Sequence, residues 1–337
     1  MKSQSKYKHK NIPIFIPHEG CPHRCVFCDQ RAISGHAAFD EGAVRGEIEA
    51  ALTTLPPDAS AEIAYFGGSF TAIDRGLMVR LLDLAEEYVD RGCVSGIRFS
   101  TRPDALDEDV LDILSHYTIA AIELGLQSMD DEVLLTTRRG HTARQAEDAC
   151  RRVVRRGYAL VGQMMIGLPH STREKEIATA TRICDLGAVA ARIYPTVVLR
   201  QTALAHAMME GSYDPISVEE AVDRCADVLA IFEERGVRVL RVGLCASDGF
   251  ENDRAVGGAY HPAMGELAYA RLFRRNMQRL LSHTPDKRPT FIVPRGKTSQ
   301  AVGQHRENIV SLCRQFELET IDVLESDELS GTQIIVK

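Results

Sequence analysis

Three cysteines in residues 21–28, CPHRCVFC, constrain this chain more than any other feature. Cys21, Cys25 and Cys28 follow an apolar run at residues 12–16, which is typical of a buried strand, in a C-x-x-x-C-x-x-C spacing. Thiolates this close together, on a loop that can wrap, suit a soft metal centre. The spacing favours a [4Fe–4S] cluster held by three thiolates, with one iron left free of protein ligands.

Two alternatives to a cluster remain open at this stage. A structural zinc site is closed by four ligands, and His18 or His23 could complete one with the cysteines. The pair Cys25 and Cys28 also has the C-x-x-C spacing of thiol redox proteins. Cys21 and the absence of a thioredoxin-like start argue against that second alternative.

The rest of the chain alternates strand and helix patterns. Short aliphatic strands separated by amphipathic helices predict parallel strands with right-handed crossovers. We therefore expect an α/β fold, a partial (β/α)6 TIM-like barrel, with a doubly wound open sheet as the alternative. The predicted strands are residues 12–16, 62–66, 96–101, 119–124, 159–166 and 190–194, with a possible seventh at 237–242.

The same pattern predicts three regions along the chain. Residues 1–10 read as a flexible basic arm. Residues 11–283 form the barrel domain with a helical extension. Residues 284–337 form a small C-terminal α/β appendage, which is too short to be stable alone and is expected to pack on the barrel.

Composition excludes several broad classes of protein. The 337 residues are 45% hydrophobic and 26% charged, as in ordinary globular proteins. No apolar run reaches about 18 residues, so no membrane span is expected. The basic N-terminus precedes only a short apolar strand and does not resemble a signal peptide. We expect a cytoplasmic protein, in which the six remaining cysteines are core residues: Cys93, Cys150, Cys184, Cys225, Cys245 and Cys313.

The net charge of −7 argues against a protein that binds nucleic acid through overall charge. Local basic groups could still contact RNA, although solvated helix faces are the ordinary explanation for such groups. They are Lys2, Lys6, Lys8 and Lys10; Arg138 and Arg139; Arg151, Arg152, Arg155 and Arg156; and Arg271, Arg274, Arg275 and Arg279.

Distinctive short sequences stand where successive predicted strands end. The cysteines follow the first strand, residues 67–69 (GGS) follow the second, and Thr101-Arg102 follows the third. Because the carboxyl ends of parallel barrel strands meet at one rim, these groups can converge in space.

Five ordered segments extend this pattern: FGGSFT (66–71), STRPD (100–104), IELGLQS (122–128), RGHT (139–142) and RIYPT (192–196). With the cysteines, they resemble the radical S-adenosylmethionine (SAM) domain of the Elongator catalytic subunit and its bacterial relatives. The resemblance spans roughly residues 11–245. It implies that Cys21, Cys25 and Cys28 hold a [4Fe–4S] cluster to which SAM binds.

The resemblance also implies a set of SAM contacts. Gly67, Gly68 and Ser69 take the place of the superfamily's GGE turn, which binds the SAM amino group; Ser69 departs from that pattern, and a hydroxyl or a backbone carbonyl would accept the bond instead. A plain strand-end turn is the alternative. The other implied contacts are Thr101, Arg102, Glu123, Gln127, Ile166 and Tyr194.

Several of these residues have a structural alternative. Arg102 is expected to hold the SAM carboxylate or to brace the barrel rim. Glu123 is expected to reach ribose or substrate, because a buried charge needs a partner, or else to form a structural salt bridge, for which Arg102 is the candidate partner. Tyr194 is expected near adenine or in the core.

Three residues are candidates for catalysis: Glu123, His261 and Cys245. His261 precedes Pro262 and a predicted helix, so a proton-transfer role competes with a simple helix start. Cys245 is a candidate hydrogen-atom donor or spare ligand, with a buried structural thiol as the alternative.

The resemblance implies reductive cleavage of SAM to methionine and a 5′-deoxyadenosyl radical, which abstracts hydrogen from a substrate. It implies a reductant such as flavodoxin or ferredoxin, and tRNA is the first candidate substrate. A small-molecule or protein substrate, or a non-enzymatic metal-structured RNA-binding accessory, is the alternative. Only about 50 residues follow the barrel, without a Gly-rich acetyl-CoA loop, so no acetyltransferase activity is expected.

Overall fold

We describe the chain from a computed structural model that covers residues 9–16, 21, 25–29, 39–56, 59–244, 254–283 and 286–337. The first elements, in chain order, are β1 (His9–Ile16), α1 (Val44–Thr53), β2 (Ser60–Gly67), α2 (Arg75–Asp90), β3 (Ile97–Thr101), α3 (Glu108–Leu114), β4 (Ile119–Gln127), α4 (Asp131–Thr136), α5 (Ala143–Arg155), β5 (Ala159–Ile166), α6 (Arg173–Asp185) and β6 (Ala190–Pro195).

The remaining elements complete the barrel and form the C-terminal unit. They are β7 (Val197–Leu199), α7 (Ala203–Met209), α8 (Val218–Glu234), β8 (Arg238–Val242), β9 (Ala255–Gly258), α9 (Met264–Leu281), β10 (Thr290–Pro294), α10 (Thr298–Val302), α11 (Glu307–Phe316), β11 (Asp322–Ser326) and β12 (Ile335–Val336). Short 3-10 turns lie at Glu41–Ala43, Phe70–Ala72, Pro103–Ala105 and Gln304–Arg306.

A seven-stranded sheet in the order β1-β2-β3-β4-β5-β6-β8 forms the centre of the molecule. Every neighbouring pair in it is parallel. In the described part of the chain, β1 and β8 do not pair, so the sheet is a curved half-barrel rather than a closed one. The expected partial barrel is confirmed, and the possible seventh strand is its last strand.

The two faces of this sheet differ in polarity because side chains alternate along each strand. Ile63 of β2, Phe99 of β3 and Ile122 of β4 lie on the convex face in the main hydrophobic core. Gly162 of β5 allows a helix to approach closely on that face, since a Cβ there would lie 2.6 Å from Ile183 of α6. The concave face carries the polar residues discussed below.

Helix ends follow the expected capping chemistry. The Ser217 side chain accepts the N–H of Glu220 at 3.1 Å and caps α8. Thr142 and Gln145 form a reciprocal capping box at the start of α5.

The C-terminal unit is a three-stranded sheet in the order β11-β10-β12. Its core includes Phe291, Ile309 and Leu312 and is continuous with Met277 and Leu281 of α9. The appendage therefore buries its apolar face against the end of that helix. The predicted boundary, at residues 284 and 285, lies outside the described residues, and the division into domains stays a prediction.

Some boundaries differ from the sequence predictions. β1 begins at His9, inside the predicted arm, whereas residues 1–8 lie outside the described part. The short elements β7, α7, β9 and α10 were not predicted, because each spans seven residues or fewer and shows no clear periodicity.

No helix within the described ranges is both long and apolar enough to cross a bilayer. Cys150 and Cys225 are buried, and Cys93, Cys184 and Cys313 are half-buried, while Cys245 lies outside the described residues.

Candidate active site

Residues 21–28, which we call the cysteine loop, are described at Cys21 and from Cys25 to Cys28. The loop is tied to two helical segments. The N–H of Val26 donates to the carbonyl of Thr137 at 3.1 Å, and the carbonyl of Val26 accepts the N–H of Leu204 at 2.8 Å. Cys25 is 8% exposed. The two backbone hydrogen bonds of Val26 therefore anchor the residue that directly follows the second cysteine.

Arg139 contacts the loop directly. Its Nη1 donates to Cys25 Sγ at 3.3 Å, and its Nη2 donates to the carbonyl of Gly125 at the end of β4. The side chain is buried, and its Nε has no hydrogen-bond partner among the described residues. A guanidinium thus links the cysteine loop to the rim of the fourth strand.

A second buried guanidinium, that of Arg102, lies beside the first. It forms a two-bond ion pair with Asp104, with both distances 2.9 Å, and also donates to the carbonyl of Arg139. Its Nη1 is buried with no partner among the described residues. Burial raises the pKa of the Cys21 thiol, while the charges of Arg102 and Arg139 act in the opposite direction.

The ends of β2 and β3 are joined by a chain of buried hydroxyls. Thr71 Oγ1 donates to the carbonyl of Ala105, so it must accept from Thr101 Oγ1, 2.6 Å away. Thr101 then accepts from Ser69 Oγ at 2.8 Å, and Ser69 accepts the N–H of Arg102 at 3.1 Å. Because each hydroxyl has a single proton, the Ser69 hydroxyl has no proton left to donate.

The glycine turn before Ser69 lies against the end of β1. The N–H of Gly68 donates to the carbonyl of Ile16 at 2.9 Å. Gly67 has a φ of 110°, and a Cβ there would lie 2.7 Å from that same carbonyl oxygen. Only glycine fits this close backbone approach without strain.

Glu123 of β4 is fully buried and binds two arginines. Its carboxylate accepts from Arg98 at 3.0 Å, from Arg192 at 2.7 Å and from Gln163 at 3.0 Å. Although burial opposes ionisation, hydrogen bonds and charge from Arg192 and Arg98 lower its pKa. The predicted salt bridge between Glu123 and Arg102 was wrong, because Arg102 pairs with Asp104 at the rim. A paired, low-pKa carboxylate does not favour proton transfer.

This ion pair belongs to a longer network across the concave face. Glu62 of β2 pairs with Arg98 at 2.7 Å, which extends the network to the second strand. The guanidinium of Arg192 lies 5.5 Å from the centre of the Phe66 ring and also hydrogen-bonds Tyr194. Tyr194 therefore belongs to the concave face.

Gln127 and Ile166 lie at the ends of β4 and β5. The β4–β5 register shifts between Gly125 and Gln127, and Gln127 has a φ of 66°, so the strand ends in a bulge. The Oε1 of Gln127 is buried with no partner among the described residues. The Ile166 carbonyl accepts both the N–H and the hydroxyl of Thr196, at 2.8 and 2.7 Å.

Of the remaining candidates, His261 makes the contacts of a helix start. Its Nδ1 accepts the N–H of Ala263 at 3.1 Å, and its carbonyl accepts the N–H of Met264, the first residue of α9. Cys245 lies outside the described residues. The catalytic roles given to both stay predictions.

Comparison of the sequence with protein-family models shows which family the chain belongs to. Residues 15–183 match the radical SAM superfamily, and residues 189–274 match the radical SAM C-terminal domain. The chain belongs to the radical SAM superfamily. The expected enzyme class is therefore confirmed, and so are its two cofactors, a [4Fe–4S] cluster and SAM.

Within this superfamily, the chain is similar to two kinds of relative. The chain is 27% identical over 241 residues to an uncharacterized protein of Methanocaldococcus jannaschii, covering 68% of this chain and 74% of that one. It is 34% identical over 142 residues to Elongator complex protein 3 of Saccharomyces cerevisiae, covering 41% of this chain and 25% of that one. The match thus spans only a quarter of the yeast protein.

Among solved structures, the fold matches an archaeal Elp3 from Methanocaldococcus infernus with a TM-score of 0.64. The match covers 80% of this chain and 64% of that one, at 21% sequence identity. At this level of identity, the likeness establishes the radical SAM half-barrel fold.

The residues at the rim fit the two cofactors of the superfamily. Arg102 Nη1 and Arg139 Nε are buried donors without partners in the described part, and an unpaired buried donor is costly. Both guanidiniums lie beside the cysteine loop, where an anionic thiolate-bound cluster or a carboxylate would satisfy them. The donors therefore match the charge of the expected groups.

A zinc site would need a different arrangement of ligands from a cluster, because all its ligands bind one metal ion. Among the described residues, no three histidine, cysteine or acidic side chains meet as the ligands of one metal ion. A cluster instead takes each thiolate on a separate iron. The two histidines suggested as zinc ligands, His18 and His23, lie outside the described residues.

Sequence reasoning missed several residues of this site. His141 was noticed only as part of a motif, and Arg139 only in that motif and as one of a basic pair that could contact RNA; neither was given a role beside the cysteines. Arg98 and Arg192 were not singled out, although each is a charged residue at a concave-face position of an otherwise apolar strand. That parity was the signal that could have identified them.

Proposed function

We propose that this chain reductively cleaves SAM at a [4Fe–4S] cluster held by Cys21, Cys25 and Cys28, and that its substrate is tRNA. The observation that carries the first part is the convergence of the cysteine loop with Arg102 and Arg139 in a radical SAM chain. When bound, the cluster and SAM supply a 5′-deoxyadenosyl radical that abstracts hydrogen from the substrate.

The contacts support a specific assignment of SAM-binding roles. The Nη1 of Arg102, which has no partner among the described residues, is assigned to the SAM carboxylate. The buried Oε1 of Gln127 is an acceptor for a ribose hydroxyl. Tyr194 is assigned to the adenine side of the concave face, next to Ile166 at the end of the adjoining strand.

The amino group of SAM is assigned to backbone carbonyls of the turn at Gly67 and Gly68. Ser69 is fully buried, donates to Thr101 and already accepts one backbone N–H. Ser69 and Thr101 therefore act indirectly, by fixing the shape of the turn between β2 and β3.

Support for tRNA comes from the likeness to Elongator complex protein 3 and not from the basic helix faces. Five of the eight arginines on these two faces are paired with acids. Arg156 lies 2.7 Å from Asp112, and Arg275 lies 2.7 Å from Asp227. Because paired cations attract phosphate weakly, this pairing favours a second candidate, a small-molecule or peptide substrate.

The cleavage reaction can be tested directly. The protein is reconstituted anaerobically with iron and sulfide, reduced, and given SAM, and 5′-deoxyadenosine is measured by mass spectrometry. We expect product from the wild type and none from Cys21→Ala, Cys25→Ala or Cys28→Ala. A fully loaded, reducible cluster that yields no 5′-deoxyadenosine would contradict the proposal.

The substrate needs a separate test. Bulk tRNA from cells lacking the gene and from wild-type cells is added to the same reaction, and digested nucleosides are compared. We expect only the first tRNA to stimulate 5′-deoxyadenosine formation and to gain a new nucleoside. Equal rates with both tRNA pools and without tRNA would reject tRNA and leave the second candidate.

A further inference from the structure

The end of helix α4 aims Arg139 at the cysteine loop. The N–H of Arg138 bonds the carbonyl of Leu135, and the N–H of Arg139 bonds the carbonyl of Leu134, which is the pattern of a Schellman motif. Arg138 occupies the left-handed position with a φ of 53°. This reversal turns the chain sharply, so that consecutive arginines differ in environment: Arg138 is exposed and Arg139 is buried.

The rim of β4 is shaped to receive the buried arginine. A Cβ on Gly125 would lie 2.9 Å from Arg139 Nη2, so the glycine leaves room for the guanidinium. The bulge after Gly125 interrupts the ladder to β5, and the Gly125 carbonyl accepts from Arg139. The carbonyl of Arg139 accepts in turn from Arg102. Contacts at both ends of the residue therefore fix its orientation toward Cys25.

We propose that Arg139 is a positioning residue that holds Cys25 in place and raises the reduction potential of the cluster. This inference rests on the proposed function, because it requires a cluster on Cys25. Reduction adds a negative charge to the cluster. A fixed cation that donates to a thiolate sulfur stabilises the reduced state more than the oxidised state.

The test compares Arg139→Gln with Arg138→Gln in the reconstituted holoenzyme without SAM. Both variants remove one arginine at consecutive positions, but only the first removes a donor to Cys25. The midpoint potential is measured by redox titration monitored by electron paramagnetic resonance. We expect Arg139→Gln to lower the reduced-to-oxidised ratio at fixed potential at least tenfold, a shift of about 59 mV for one electron.

The conservative variant Arg139→Lys separates charge from position. It keeps the cation but cannot bond Cys25 and Gly125 with one planar group, so we expect a potential between the wild type and Arg139→Gln. Circular dichroism shows whether Arg139→Gln is folded. If it is folded but binds less iron than Arg138→Gln, the positioning role is supported, and the midpoint potential of Arg139→Lys then decides the effect on reduction potential.

Equal midpoint potentials for the wild type, Arg139→Gln and Arg138→Gln would overturn the inference. Equal shifts of the midpoint potential in the two glutamine variants would also overturn it, because the shift would then come from the net charge of the protein and not from the hydrogen bond to Cys25. A wild type that binds no redox-active cluster would instead overturn the proposed function. The two failures are thus distinguishable in one series of measurements.

Discussion

Replacing Glu123 by glutamine tests the physical account of the concave face most sharply. The substitution keeps the shape of the side chain and removes its charge. The two arginines lose different shares of their ion pairing. Arg98 keeps Glu62 at 2.7 Å, whereas among the described residues Arg192 keeps the Phe66 ring and polar neighbours but no acid. The side chain of Arg192 is 12% exposed, so solvent replaces little of the lost interaction.

The magnitude follows from this asymmetry. Removing one partner of a buried ion pair typically costs about 3–5 kcal/mol. Since Arg98 keeps an acid and glutamine can still accept one hydrogen bond, we expect the lower end, about 3 kcal/mol. In urea, with a slope of about 3 kcal/mol/M for a chain of this size, the midpoint should fall by about 1 M.

A matched control is Glu87→Gln. Glu87 also pairs with an arginine, at 2.8 Å, but its side chain is 52% exposed, so we expect a change of less than about 1 kcal/mol. The double variant Glu123→Gln with Arg192→Met should lose less free energy of unfolding than the two single variants lose in sum, because neither charge is then left unpaired.

The pH dependence follows from the lowered pKa of Glu123. Its contribution is present above the unfolded pKa of about 4.3 and is lost as pH falls through the lower folded pKa. Glu123→Gln should therefore lose less stability than the wild type in that acid range. A Glu123→Gln midpoint equal to that of the wild type would refute the buried-network account.

Three further predictions concern single residues. Burial and the nearby Arg139 lower the pKa of His141 to about 4. Because the unfolded chain takes up this proton at a higher pH, folding stability should fall by about 3 kcal/mol as pH drops from about 6.5 to 4. Urea titrations of the apo-protein should show that His141→Gln removes this loss. Gly162→Ala places a Cβ 2.6 Å from Ile183 and should cost about 1–3 kcal/mol in the same assay, partly recovered by Ile183→Val. The Asn308 amide donates to two buried backbone carbonyls at 2.9 and 3.1 Å, so Asn308→Ala should cost about 1–3 kcal/mol.

The fold was predictable because its signals are local and repeated. Aliphatic strands and amphipathic helices alternate, and β5 spans residues 159–166 as predicted. Glycine, proline and capping residues mark most element ends. The misses share a cause: β7 has three residues and β9 has four, too few for periodicity to register, and each forms only by pairing with the other.

The candidate site was predictable only where a residue carries its own signature. The cysteine spacing predicts a loop that holds a cluster, but spacing cannot show which side chain contacts Cys25. That depends on the left-handed turn at Arg138 and the bulge after Gly125, two backbone features with no reliable sequence signal. The salt-bridge partner of Glu123 was missed for a related reason, because Arg102 belongs to the rim and the concave-face partners lie on β3 and β6.

The placement of charge separates the rim from the concave face. The concave network holds Glu62 and Glu123 against Arg98 and Arg192, two negative and two positive charges, so its sum is zero. The rim holds Arg102 and Arg139 against Asp104, an excess of one positive charge before the thiolates are counted. The rim beside the cysteines thus carries net positive charge, whereas Arg98 and Arg192 on the strands are neutralised by their acidic partners. Within this network, a substrate would meet polar groups and the Phe66 ring rather than unpaired cations, so any strong attraction for phosphate must come from other residues, such as Arg241 of β8, which lies in register with Arg192.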